Sequence, residues 1–296
     1  MKWFQVKEVS AGKKRLILSW YLYKIFGKNV LYLIAWFVSL FTFIFAKKVR
    51  NYSKKYLTVI GNVLDIDSGL ISQFRHIHSY ADSLVDKILV YSGEFNIGDV
   101  EFCNQKEQDE IFDTIAKSNG VVFLCNHIGN IEALYTFFRN EKIPSNFSIN
   151  IVISKKQSQV FNGFLEQIKT EIPVNLFPIE EMGIETGMEL EEKLDNGGVL
   201  FIAGDRVSQT NDNQCVESEL FSRKILLPKG AFKLVKTMNR ATYFVSAIKQ
   251  NKKYLVYSEK QASTEEKSLT SLYTKFMEKM IMKAPYQFYH FYDFFN

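Results

Sequence analysis

The chain has 296 residues, 47% apolar and 23% charged, with a net charge of +5, 26 Phe and 15 Tyr. That is the make-up of a globular protein, one large domain plus an appendage, and the aromatic richness suits a protein that handles lipid or works at an interface. The charge is uneven: residues 1–60 carry 12 Lys and Arg against the single acid Glu8, about +11 in front of a body of about −6. Because those basic residues flank an apolar run instead of lining one polar face, nucleic acid is excluded as the partner and an anionic lipid surface is expected.

The first predicted elements lie inside that basic segment. "LILSWYLY" (16–23) is followed, after Lys24, Gly27, Lys28 and Asn29, by "VLYLIAWFVSLFTFIFA" (30–46), which holds no charge. As a helix, seventeen residues reach roughly 26 Å, near the short limit for crossing a hydrocarbon core. Both ends are basic, so orientation is not set, and an anchor lying in or shallowly inserted into the membrane is expected over a simple span. Flanking charges and the lack of a small-residue cleavage site argue against a cleaved signal. Residues 1–60 are thus expected to form a membrane-anchoring helical segment and 61–296 a catalytic domain.

From Val49 to about Tyr91 the pattern is helical, with Ile77, Tyr80, Ala81, Leu84, Val85, Ile88 and Leu89 along one face before Gly93. Beyond Gly120, short apolar runs alternate with helical ones. "VVFLC" (121–125), "INIVIS" (149–154), "VLFIA" (199–203), "TYFVSA" (242–247) and "KYLVYS" (253–258) read as strands. "IEALYTFFRN", "VFNGFLEQIK", "GMELEEKLDNG", "KGAFKLVKTMNR" and "SLTSLYTKFMEKMIMK" read as helices. This alternation predicts an α/β fold, a central largely parallel sheet flanked by helices, behind the N-terminal anchoring segment.

In such a fold chemistry gathers at the strand carboxyl ends, and His127 and Asp205 each follow a predicted strand. In "CNHIGNIEAL" the turn residues Gly129 and Asn130 separate His127 from Glu132. On an unbroken helix the two side chains would lie about 140° apart. A Gly turn with Asn130 as helix N-cap brings them together, so that Glu132 orients the imidazole and His127 withdraws a proton from a nucleophile. A capped helix beside an incidental surface His fits the same residues. His76, His78 and His290 make no matching metal set, and no metal is expected. Cys103, Cys125 and Cys215 have no metal-ligand spacing and read as reduced cytoplasmic thiols. Cys125 is expected to be a buried strand residue and not a nucleophile. There is no G-x-S-x-G, P-loop or G-x-G-x-x-G, which removes the usual serine hydrolase, nucleotide and dinucleotide readings.

"NHIGNIE" resembles the H-x4-D/E motif of lysophospholipid-type acyltransferases, in the H-x-G-N-x-E form of the lipid A biosynthesis (lauroyl/myristoyl) acyltransferase family. The apolar start, "IAGDRVS", "ELFSRKILLPKGAFKLVKTMNRATYFV" and the closing "IMKAPYQFYHFYDFF" are similar to further blocks of that family, from about residue 16 to the end. Ser222 stands where the third block has Gly. The closing segment has Tyr292, Asp293 and Phe294 where lipid A enzymes carry a Trp/His/Arg-rich pattern, closer to members found with aryl polyene lipid biosynthesis.

The resemblance implies transfer of an acyl chain from an acyl carrier protein thioester to a hydroxyl of a membrane (glyco)lipid, with no cofactor beyond that donor. It implies a place at the cytoplasmic face of the bacterial inner membrane. It assigns His127 and Glu132 to catalysis, and Asn130, Lys155, Asp205, Arg206 and Arg223 to substrate binding, with Asp205 positioning Arg206. A non-catalytic lipid-binding accessory protein, or a thioester or lipid hydrolase using the same base on water, would fit the same fold.

Overall fold

The computed structural model describes residues 13–140, 143–168, 172–207, 214–262 and 266–295. Lys2, Lys7 and Glu8, which enter the charge count of the front segment, lie outside them. Helices α1 (Lys13–Phe26), α2 (Lys28–Phe45), α3 (Lys47–Leu64) and α4 (Leu70–Tyr91) come first. Gly27 breaks α1 from α2 at a φ of 76°, a conformation glycine adopts without the steric cost a Cβ would bring.

The body follows as β1 (Val100–Phe102), α5 (Gln105–Ala116), β2 (Val121–Gly129), α6 (Leu134–Asn140), β3 (Ile149–Ile153), α7 (Lys155–Ile168) and β4 (Val174–Pro178). Then come α8 (Ile184–Asp195), β5 (Val199–Ala203), β6 (Cys215–Leu220), β7 (Arg223–Pro228), α9 (Lys229–Met238), β8 (Ala241–Gln250), β9 (Lys253–Lys260) and α10 (Glu266–Lys283). Seven strands form one sheet in the order β1-β9-β8-β2-β5-β3-β4, and every neighbouring pair is parallel except β8 with β9. β6 and β7 form a separate antiparallel hairpin.

The continuous apolar runs are explained by burial on both faces of the sheet. Along β2, Val121, Phe123 and Cys125 join a core shared with α4, α5, α6 and α7, whereas Val122, Leu124 and Ile128 join one shared with α3, α8, α9 and α10. All five predicted strands and all five predicted body helices are present, with one local difference. "IEALYTFFRN" opens as a single 3-10 turn, Ile131–Ala133, before α6 begins at Leu134.

β2 overshoots the predicted "VVFLC" by four residues, because its register with β8 shifts between Cys125 and Gly129. Gly129 has a φ of 75°, and a Cβ there would stand 1.9 Å from the Ala247 carbonyl oxygen. Gly129→Ala is therefore expected to destabilise the protein by about 3 kcal/mol or more, since the new atom meets backbone that has no side chain to yield. Urea denaturation measures it, and a midpoint equal to wild type would mean the turn is not held this tightly.

The hairpin missed by the sequence pattern turns through Phe221 and Ser222, at φ 51° and 58°. Two positive φ angles are what a two-residue turn of this hand requires, and Gly suits the second position best. Ser222, which has a Cβ, thus carries backbone strain at this position.

Candidate active site

The parallel strands bring their carboxyl ends to one edge, and two of them supply the central contact. His127, near the end of β2, donates Nδ1–H to Asp205 Oδ1 at 2.8 Å, and its backbone N–H reaches Asp205 Oδ2 at 2.6 Å. Asp205 lies two residues past β5, the strand paired with β2 in register, Cys125 opposite Ala203. His290, from the closing segment, donates Nε2–H to Asp205 Oδ2 at 2.8 Å. One buried carboxylate thus accepts three hydrogen bonds. The tautomer of each imidazole follows, because only a protonated nitrogen faces a carboxylate oxygen. For His127 this leaves Nε2 with its lone pair, on a side chain that is 34% exposed, while Asp205 and His290 are sealed.

The electrostatics match this assignment. Burial alone would raise the Asp205 carboxyl, but the two imidazoles together outweigh it and hold the group well below the usual carboxylate range. His290 is pushed down to about 3 by burial, against the pull of Asp205, so it is neutral. Its Nδ1 is buried with no hydrogen-bond partner among the described residues. The ligand atoms of His127, Asp205 and His290 lie within 4.8 Å of one another, which makes them the set that could hold a metal ion among the described residues. Their 2.8 Å contacts have the length and partner types of N–H···O hydrogen bonds.

The closing segment is fastened over this edge by contacts from four directions. Phe288 bridges Ile128, and Tyr289 N–H donates to the His127 carbonyl at 2.9 Å. Buried His76 on α4 donates to the Phe288 carbonyl at 2.7 Å and lies 3.0 Å from Ser53 Oγ on α3. Arg206 donates to the Tyr289 carbonyl at 2.8 Å, and Lys55 pairs with Asp293 at 2.8 Å. His76 is lowered to about 4, burial outweighing the hydrogen bond to Phe288.

Two histidines buried in the neutral form make folding acid-sensitive. Their folded pKa values lie below the unfolded value of about 6.5, so the unfolded chain binds more protons as the pH falls. Their stabilisation is complete above about pH 6.5 and is lost progressively toward pH 4 and pH 3, by up to about 1.4 kcal/mol per pH unit for each. Urea midpoints at pH 7, 6 and 5 are expected to fall in that order. Equal midpoints would mean that neither imidazole is held neutral.

The other expected site residues fall in different places. Glu132 is not the carboxylate against His127 Nδ1; it forms an ion pair with Lys87 of α4. The 3-10 turn carries Glu132 toward α4, whereas Asp205 arrives in register with His127 from the next strand. Glu132 is near enough for His127 to contribute to its low pKa: burial raises that carboxyl, and Lys87 first, then its hydrogen bonds and His127, bring it down.

Asp205 accepts from two imidazoles, and the neighbouring Arg206 donates to the Tyr289 carbonyl of the closing segment. Asn130 opens the turn, but its side chain does not cap it; buried, it donates to the Ser83 carbonyl on α4 at 3.3 Å. Lys155 stands at the same sheet edge, exposed and paired with Glu181 at 2.6 Å. Arg223 is exposed at the start of the hairpin strand β7. Cys125 is buried, with its thiol donating to the Ile202 carbonyl at 3.3 Å, and burial pushes that thiol far up. A sealed thiol with so little thiolate is no nucleophile.

Sequence reading missed His290 and Lys87. His290 sits in an aromatic run, "QFYHFYDFF", where its only signal was that so apolar a stretch must be packed. Lys87 read as an ordinary charge on a helix.

No curated protein matches the chain. Residues 87–295 match the family model described as bacterial lipid A biosynthesis acyltransferase, and the chain belongs to that family.

Proposed function

We propose, from this family membership, that the protein moves an acyl chain from an acyl carrier protein thioester to a hydroxyl group of a membrane lipid, with His127 as general base. The single observation that carries the reading is the Nδ1–H bond of His127 to buried, ionised Asp205, which leaves Nε2 as the free nitrogen of a side chain that is one-third exposed. The acceptor hydroxyl gives its proton to Nε2 as its oxygen attacks the thioester carbonyl carbon. The tetrahedral intermediate collapses, the carbon–sulfur bond breaks, and the proton passes from Nε2 to the departing thiolate. Ester and free thiol result, with no covalent enzyme intermediate and no role for Cys125. Asp205 keeps the tautomer and stabilises the transient imidazolium, Glu132 adds negative charge nearby, and Asn130 ties the turn to α4. Base catalysis of this kind contributes about 10²–10⁴ in rate. Arg206, Lys155 and Arg223 are assigned to anionic parts of the substrates, the phosphopantetheine phosphate or a lipid headgroup.

We place the protein on the cytoplasmic face of a bacterial inner membrane, with α2 lying in the interface. α2 is long and apolar enough to cross a bilayer, yet it is fastened along α4 at three levels. Tyr32 donates to Asp86, Ser39 lies 3.4 Å from His78, and the Phe43 and Phe74 rings meet at 5.7 Å. A spanning α2 would draw Asp86 and Asp82 toward the hydrocarbon, at about 2.5–3.5 kcal/mol for each charge. Its opposite face exposes Leu33, Phe37, Phe41, Ile44 and Phe45, which suits shallow insertion between flanking lysines. Phe37→Glu with Phe41→Glu is expected to weaken binding to anionic vesicles by tenfold or more, as ~2 kcal/mol of burial is lost per ring. Unchanged co-sedimentation would remove this face from the membrane.

The reaction is tested with labelled acyl carrier protein thioesters and a membrane lipid extract. Label is expected in lipid, dependent on the extract. Release of free acid at the same rate without extract would make the protein a hydrolase.

A further inference from the structure

Of the cations near the motif, the one against its carboxylate, Glu132, is Lys87, in the last two turns of α4. Its ammonium pairs with Glu132 Oε1 and lies 4.7 Å from the centre of the Phe161 ring on α7. That ring is itself wedged against Tyr91, which packs on Tyr135. Lys87 and Glu132 are mostly shielded, 28% and 18% exposed, so the pair is far less screened than a surface salt bridge. The neighbouring Asp86 faces elsewhere, accepting from Tyr32, Tyr254 and Lys249, so α4 assigns each charge to its own partner. By contrast Lys155 is exposed on Glu181, and Arg206 is engaged with Tyr289.

We propose that Lys87 is a positioning residue for the reaction: clamped between Glu132 and the Phe161 ring, it holds the Glu132 carboxylate ionised and in place beside His127. The inference rests on the acyl-transfer reading above. A shielded carboxylate without a cation would protonate or swing toward water, and the negative charge that favours the His127 imidazolium would be lost. The titratable groups that interact with Glu132 are Lys87 and Tyr91 from α4, and His127 and Cys125 from β2. Lys87 is the permanent cation among them, and the ring of Phe161 favours a cation at that point.

The experiment is a double-mutant cycle on steady-state acyl transfer with Lys87→Met, Glu132→Gln, the pair of substitutions, and Lys87→Arg, each normalised to folded protein by thermal denaturation. Wild type and His127→Ala are run first. Absence of transfer by the wild type would overturn the acyl-transfer reading itself, transfer retained by His127→Ala would remove the imidazole from the chemistry, and both outcomes are separate from the cycle. Lys87→Met is expected to lower kcat about tenfold or more with KM little changed, and to add almost nothing in the Glu132→Gln background. Lys87→Arg is expected to recover most of the activity, since a merely space-filling role would not need the charge. Independent, multiplying losses, a change confined to KM, or an Arg variant as slow as the Met variant would each overturn the proposal.

Discussion

Asp205→Asn is expected to lower acyl transfer by about 10²–10⁴ while leaving the fold in place. The carboxylate accepts from the His127 backbone N–H and His290 Nε2–H on Oδ2, and from His127 Nδ1–H on Oδ1. An asparagine keeps one oxygen. Placed at the Oδ2 position it satisfies two of the three donors, and its amide NH2 then faces His127 Nδ1. Two donors cannot face each other, so the imidazole must move its proton to Nε2. The nitrogen that would accept the acceptor's proton is then already protonated. Steady-state rates of folded Asp205→Asn protein measure the effect, and a rate within threefold of wild type would show that the tautomer is not set by Asp205.

His127→Ala is expected to cost at least as much, about 10²–10⁴ or more, because it removes the proton acceptor outright. Folding should survive. The side chain is one-third exposed, and the contacts that hold this edge, from the Tyr289 N–H to the His127 carbonyl and from the His127 N–H to Asp205, belong to its backbone. Equal transfer by wild type and His127→Ala would remove the imidazole from the chemistry.

The layered fold was readable because β2, β3, β5, β8 and β9 are short apolar runs, and in β2, β5 and β8 burial on both faces imposes that pattern. β1 and β4 were not readable: "VEF" is three residues long, and "VNLFP" ends in proline with a burial pattern that is mostly intermediate. The β6–β7 hairpin hid for another reason. Its turn is made by Phe221 and Ser222 instead of the Asn or Gly that normally marks such a reversal.

In the site, linear proximity misled. Glu132 follows His127 by five residues and so suggested itself as the orienter, whereas the contact is made by Asp205, 78 residues away. The parallel register of β2 with β5 brings Asp205 there, and a register is a property of the folded sheet. His127 and Asp205 could each be placed at a strand end; that they touch could not. His290 and Lys87 were further from reach. One is supplied by an irregular C-terminal segment, and the other by a helix whose charge pattern resembles any solvated face.

Asp205, and not Glu132, makes the contact with the His127 imidazole, and the proposed reaction turns on that contact. The most direct measurement is kcat for acyl transfer by wild type, Asp205→Asn and Glu132→Gln side by side, on the same carrier-bound donor and lipid acceptor. A fall of about 10²–10⁴ is expected for Asp205→Asn and a smaller one, about tenfold, for Glu132→Gln. A Glu132→Gln enzyme as inactive as His127→Ala, beside an Asp205→Asn enzyme near wild type, would contradict that role of Asp205.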